Sequence, residues 1–221
     1  MAALLVIFIL AAVMLIIELR TRKEEIDDAI REIQETSLLR EKIIEEIVSE
    51  LAKRNIKVIV SEDKKVLRIS EDVLAFETLQ YRIPEVQLNV VHQIGHVVLD
   101  RISVQKRFNF IDTIFIEGHT DSRGAPRFMR GLGNWGLSTA RATSVWKFWS
   151  STDDYGEALK ALRNQRGEPM FSVSGYSDTR PLIQIDDTPA KQRANRRIDI
   201  RFSMRTPALN DYEVIRQALD R

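Results

Sequence analysis

Residues 1–17, MAALLVIFILAAVMLII, contain no charged side chain, and Glu18 closes the run. As a helix rising ~1.5 Å per residue the run spans roughly 25 Å, a little less than a ~30 Å hydrocarbon core. A cleaved signal peptide is the competing reading. Its marks are missing on both sides, because no basic stretch precedes the run and no small-x-small site follows it. The sequence therefore predicts a transmembrane helix over residues 1–19. The chain starts inside the apolar run, so the helix is expected to be N-terminally truncated, with one or two turns and a basic leader upstream. The adjacent basic cluster, Arg20, Arg22 and Lys23, follows the run. Counted alone, it would place the rest of the chain in the cytoplasm.

Residues 20–54 contain no Gly or Pro and are rich in Glu, Lys, Arg, Ile and Leu. Ile26, Ile30, Ile33, Ile44, Ile47 and Leu51 follow heptad spacing, with Ser37 and Arg40 at the two remaining seam positions. Apolar side chains thus fill six of eight positions, with a polar middle. Two structures satisfy this pattern: a helix packed on its own globular domain, or a short parallel coiled coil. The continuity with a membrane helix favours the coiled coil, and hence a homodimer through this helical linker.

The rest divides into a domain over 55–206 and a tail over 207–221, helical or loosely ordered. Asn55 to Ser70 alternates apolar and polar on each side of Glu62 to Lys65, a β-hairpin pattern. Pro84 opens a helix whose apolar stripe is Val86, Val90, Ile94, Val97, Val98 and Ile102. Thr113 to Glu117 reads as a strand, Leu137 to Trp149 as a helix capped near Ser138, and Asp154 to Arg163 as a further helix. Met170 to Gly175 and Arg197 to Met204 read as strands. The order β-β-α-β-α-α-β-α-β defines an α+β sandwich with a mixed sheet and helices on one face.

The chain has 33 Lys plus Arg and 32 Asp plus Glu, a net charge of only +1, which argues against a nucleic-acid partner. It has no Cys, which excludes a disulfide scaffold, a thiolate metal site, a Cys nucleophile and a Cys-linked lipid anchor. His92 and His96 are four apart, but the run is HQIGH, so the base of a metalloprotease motif is replaced by Gln93. No nucleophile elbow, P-loop or dinucleotide fingerprint occurs. The sequence predicts neither an enzyme, nor a metal site, nor a cofactor.

Three loops carry polar chemistry. Gly118 to Gly124 follows a strand end, where Asp121 with the Thr120 hydroxyl suits a cationic group, or else simply a turn. Asn134 to Ala142 opens a helix with Arg141 expected in its first turn or two. There a guanidinium and free backbone N–H groups would together hold a carboxylate. Asp121 and Arg141 thus suit a zwitterion, with a mutual salt bridge as the alternative. Gln192 to Arg197 adds a basic cluster at the start of the last strand, either a solvated face or part of an anion site.

Four motifs in this order resemble the OmpA-like peptidoglycan-binding domain: IFIEGHTDSRG (Ile114 to Gly124), NWGLSTARA (Asn134 to Ala142), VSGYSDTRPL (Val173 to Leu182) and ANRRIDIRF (Ala194 to Phe202). The second motif, and the layout of apolar helix, helical linker and domain, are similar to the MotB branch, the periplasmic part of ion-driven stators. The resemblance implies an OmpA-like fold binding the diaminopimelate unit of peptidoglycan. By motif position, Asp121 would meet the amine and Arg141 the carboxylate. Thr120, Asn134, Leu137, Asn195 and an arginine of the Arg196, Arg197 pair would shape the pocket.

The resemblance further implies a single-pass protein of the bacterial inner membrane with its C-terminal domain in the periplasm, against the naive charge count. It implies a MotA-like membrane subunit as partner, in a flagellar motor or a Zorya-type anti-phage complex. MotB-like stators carry an ion-binding aspartate near the start of the membrane helix, whereas residues 1–17 contain no acid. The aspartate is expected upstream. A tether that links membrane to wall without conducting ions is the other reading.

Overall fold

The computed structural model describes residues 2–125 and 128–206, and the expected tail over 207–221 lies outside them. The chain divides into two compact units. Residues 2–39 belong to one, and Arg40–Arg205 form the other.

The first 52-residue element, α1 (Ala2–Lys53), has no Gly or Pro to interrupt its backbone ladder. Its N-terminal part is long and apolar enough to cross a membrane. The side chains there are bare, with Leu4 77% and Met14 76% exposed. In water such a surface is unfavourable by roughly 25 cal/mol per Å² of apolar area, which a lipid environment removes. Ile26, Ile30 and Ile33 are exposed too.

The heptad stripe does not continue as one seam. Ile44, Ile47 and Leu51 lie in the second unit and are fully buried there. Arg107, itself 1% exposed, clamps this part of α1 by donating from Nη1 and Nη2 to the Glu46 carboxylate at 2.6 and 3.1 Å. The packed-helix reading describes these three positions, whereas Ile26, Ile30 and Ile33 stay exposed. Heptad spacing alone does not separate the cases, because a coiled coil and a helix on a sheet both ask for an apolar stripe.

The second unit holds β1 (Ile59–Val60), β2 (Val66–Ser70), α2 (Leu88–Ser103), β3 (Ile111–His119), α3 (Gly133–Ser150), α4 (Gly156–Ala161), β4 (Phe171–Gly175), α5 (Pro189–Asn195) and β5 (Arg197–Met204). The sheet order is β1-β2-β5-β3-β4. Only β3 and β4 run parallel, so the sheet is mixed, as expected. β5 is central. It buries Ile198, Ile200 and Phe202, alternate residues on one sheet face. Burying each such side chain contributes about 1.5–3 kcal/mol.

Two element starts differ from the sequence reading. Pro84 leads into a 3-10 turn, Glu85–Gln87, before α2 begins. That turn rephases the stripe, so Val86 is 87% exposed and the buried set is Val91, Ile94, Val97, Val98 and Ile102. α3 starts at Gly133, not near Leu137, because Asn134, Trp135 and Gly136 continue the helix. Ser138 is therefore no cap. It is fully buried, donates to the Trp135 carbonyl at 3.0 Å and accepts from the Ser177 N–H at 3.0 Å.

The approach of α3 to the sheet depends on two glycines paired across β3 and β4, Gly118 and Gly175. A Cβ on Gly118 would lie 2.0 Å from the Ser138 carbonyl oxygen. One on Gly175 would lie 2.2 Å from Thr139 Oγ1 and 2.5 Å from its backbone nitrogen. Both distances are far inside van der Waals contact, so only hydrogen fits.

Candidate functional site

The residues that end β3 and those on the next turns of α3 meet in a cleft of about 260 Å³. β3 delivers Thr120 and Asp121, and α3 contributes Asn134, Leu137 and Arg141. The link from α5 to β5 contributes Arg196. The segment after β2 supplies Glu71, Phe76, Thr78 and Leu79. Six of the expected site residues thus converge here: Thr120, Asp121, Asn134, Leu137, Arg141 and Arg196.

Arg141 is 4% exposed, and no carboxylate lies within ion-pair distance of it among the described residues. Its Nε donates to the Gln80 carbonyl at 2.9 Å and its Nη2 to the Glu77 carbonyl at 3.2 Å. Its guanidinium carbon lies 5.0 Å from the centre of the Phe76 ring. Burial lowers the guanidinium to about 10, and the nearby Arg196 charge adds to this. A cation so placed, held by neutral carbonyls alone, is a seat for an anion. Because α3 begins at Gly133, Arg141 lies past its second turn, so the free N–H groups expected to assist it are not at hand. The alternative of a mutual Asp121–Arg141 salt bridge is not found either.

Asp121 has other partners. Its Oδ2 accepts from Arg123 Nε and Nη2 at 3.2 and 2.8 Å, and from Arg196 Nη1. Its Oδ1 accepts the Arg123 backbone N–H at 3.0 Å. Burial alone would raise its carboxyl, but the hydrogen bonds from Arg123 and Arg196 outweigh this and hold it below the usual range. Asp121 is therefore anionic at neutral pH. The buried Thr120 hydroxyl and Asn134 Oδ1, both in the cleft wall, have no partner among the described residues. Asn134 Nδ2 meanwhile ties the loop together through the Asp121 and Arg123 carbonyls at 3.3 and 3.1 Å.

Asn195 and Arg197 do not line this cleft. Asn195 is buried and pins the 182–183 backbone: Oδ1 accepts the Leu182 and Ile183 N–H groups at 2.8 and 3.0 Å. Its Nδ2 reaches Asp186 at 3.1 Å, and Asp186 accepts the Ser122 N–H at 2.9 Å. Asn195 thus supports the Asp121 loop from behind. Arg197 points to the other sheet face, where its Nε donates to Asp199 at 3.1 Å. Of the arginine pair, Arg196 is the one that faces the cleft, because successive residues entering a strand project to opposite sides. Sequence reasoning missed Glu71, Phe76 and Arg123. Arg123 was visible two residues from Asp121, whereas Glu71 carried no signal.

His119 is 3% exposed, and neither ring nitrogen has a hydrogen-bond partner among the described residues. It stacks on Tyr176 with ring centres 5.4 Å apart. Burial, then Arg197, Arg180 and Arg68, lower it to about 3, and the 3.5 Å approach of Asp199 does not offset this. The folded state therefore keeps His119 neutral, while the unfolded chain protonates it below about 6.5. Stability from this group is complete above that pH and falls as pH drops towards 3, at up to about 1.4 kcal/mol per pH unit. Thermal unfolding in detergent between about pH 5 and 7 should show this slope. His119→Phe, which keeps the stack, should flatten it, and an unchanged slope would remove the assignment. His92 lies elsewhere, its Nε2 3.2 Å from Asp154. No group of three metal-binding side chains occurs among the described residues.

Fold and cleft together define an α+β domain that offers a buried guanidinium and an anionic aspartate in one opening. Solved structures share this architecture. A MotB-like protein from Desulfovibrio vulgaris matches with a TM-score of 0.56 and 18% identity, covering 78% of this chain and 98% of that one. The periplasmic domain of Helicobacter pylori MotB matches at 0.49 and 20% identity, over 74% and 90%. The cell wall anchor of the T6SS from Pseudomonas aeruginosa matches at 0.49 and 22%, over 72% and 95%. No protein-family model and no curated protein matches the chain. The chain thus shares its fold with the MotB-like protein from Desulfovibrio vulgaris, the α+β architecture with a mixed sheet that the sequence implied.

Proposed function

We propose that this chain is a membrane-anchored, peptidoglycan-binding MotB-like subunit that fixes an ion-driven stator to the cell wall. α1 anchors it in the bacterial inner membrane, and the Arg40–Arg205 unit lies in the periplasm. The observation that carries the reading is Arg141, a buried cation whose hydrogen bonds, among the described residues, go to backbone carbonyls. With Asp121 in the same cleft, the ligand that completes the site has a carboxylate and an ammonium on one short unit, as the free end of diaminopimelate does. The carboxylate pairs with Arg141, and the ammonium meets Asp121. Thr120 and Asn134 supply the remaining polar contacts. Co-sedimentation of the full chain with purified sacculi tests this, and free meso-diaminopimelate should compete. Failure to sediment would sink it.

The stator role adds a MotA-like membrane partner and a homodimer. The exposed Ile26, Ile30 and Ile33 stripe supports the dimer. Single cysteines at Ile26 or Ile33 should crosslink in membranes, whereas cysteine at Ile44, buried in its own domain, should not. Absence of any crosslink at the first two positions would argue for a monomer. The machine so anchored is a flagellar motor or a Zorya-type anti-phage complex. A non-conducting tether is the second reading. Ion flux in vesicles holding this chain and a MotA-like subunit would decide against the tether.

A further inference from the structure

The cleft holds a second carboxylate, which the reading above does not use. Glu71 lies just past β2 and accepts a two-bond fork from Arg196, Nε to Oε1 at 2.6 Å and Nη2 to Oε2 at 2.5 Å. Both side chains are largely buried, 12% and 17% exposed. The third nitrogen of the same guanidinium, Nη1, reaches Asp121 Oδ2. Arg196 is thus stretched between two acids that approach it from different elements.

We propose that Glu71 is a specificity-determining positioning residue: by holding Arg196 through the fork, it keeps Asp121 open to an ammonium, so that the cleft prefers a zwitterion over a plain carboxylate. This rests on the diaminopimelate reading. Two physical effects act in the same direction. The first is geometric. With its fork engaged on Glu71, Arg196 meets Asp121 through one nitrogen, and among the described residues Asp121 Oδ1 is left with a single backbone donor. A carboxylate oxygen accepts two bonds or more, so Oδ1 retains room for a cation's N–H. Released from Glu71, the fork would turn onto Asp121, which is the stronger, bidentate geometry, and close that seat. The second effect is charge. Arg123, Arg141 and Arg196 face Glu71 and Asp121, a net of +1 in the cleft lining. Without Glu71 the net becomes +2, which favours anions and disfavours a ligand ammonium.

The test compares two probes against the full chain in detergent. One is a muropeptide with free diaminopimelate amine and carboxylate groups, and the other is the same muropeptide with that amine N-acetylated. Equilibrium dialysis should show wild type preferring the free amine by about tenfold or more. Glu71→Gln should bind the free amine about tenfold more weakly while binding the acetylated probe as well or better. Glu71→Asp should restore part of the preference. A role confined to holding the fold would weaken both probes together, and that result, or an unchanged preference, would overturn the proposal. Glu71→Met, checked by its melting temperature, serves if Glu71→Gln does not fold. If wild type binds neither probe, the diaminopimelate reading fails and takes this one with it. If wild type binds both equally, the role of Glu71 and the ammonium contact at Asp121 are overturned, and the carboxylate seat at Arg141 stands.

Discussion

Arg141→Ala should abolish retention on purified sacculi while leaving the chain folded. The guanidinium is 4% exposed and has no acid partner among the described residues. A ligand carboxylate entering the cleft would find its counter-charge already desolvated. Removing one partner of such a pair leaves the other buried and unmatched, at a cost of about 2–5 kcal/mol. In affinity this is roughly 30-fold to several thousand-fold. Stability should suffer less, because Glu77 and Gln80, whose carbonyls the substitution releases, are exposed residues and can turn to water. Arg141→Lys makes a sharper probe. It keeps the charge, but one ammonium cannot hold two carbonyls and a carboxylate with the geometry of a planar fork, so retention should be intermediate. Full retention by folded Arg141→Ala would remove the carboxylate seat from the model of binding.

The largest loss of stability is expected from Gly118→Ala. Its Cβ would lie 2.0 Å from a main-chain oxygen of α3, and a helix backbone cannot rotate away as a side chain can. α3 must move off the sheet, which opens the core under Val145 and Trp149, both fully buried. Overpacking of this kind costs about 1–3 kcal/mol and sometimes more, and a backbone clash belongs at the upper end. A loss near 3 kcal/mol lowers the melting temperature by about 6–12 °C in a chain of this size. Gly175→Ala acts on the same helix, from Thr139. The double variant should therefore lose less than the sum of the two, because α3 need move away only once. Both variants should also weaken sacculus retention, since Arg141 travels with α3. A melting temperature within about 2 °C of wild type would show that α3 yields to the methyl group without cost.

These two glycines show what kind of information the sequence makes plain. They lie inside EGHTD and SGYSD, and a glycine at a strand end flags a close approach without saying of what. The element order after α1 follows the alternation read from the sequence, and β5 spans Arg197–Met204 as read. Two helix starts shifted, at α2 and α3, because a 3-10 turn and an interior glycine rephase a stripe that periodicity alone treats as continuous. At the cleft, Asp121 and Arg141 were legible as an acid and a base in neighbouring loops. Their actual partners were not: Asp121 pairs with Arg123 and Arg196, and Arg141 with two carbonyls.

The apolar run at the start of the chain marked by itself a segment that suits a lipid-like surrounding, and among the described residues its large apolar side chains from Leu4 to Ile17 stay exposed. The sequence likewise settled the α+β order, because strand and helix periods are local and need no partner to be read. Tertiary packing alone decided which half of the heptad stripe is buried, which arginine of the Arg196, Arg197 pair enters the cleft, and that Glu71 reaches across 125 positions to hold it. Hydrophobic pattern repeats along the chain, whereas the partner of a charge is fixed only when distant segments meet, and there a change of one residue in register reverses which face it serves.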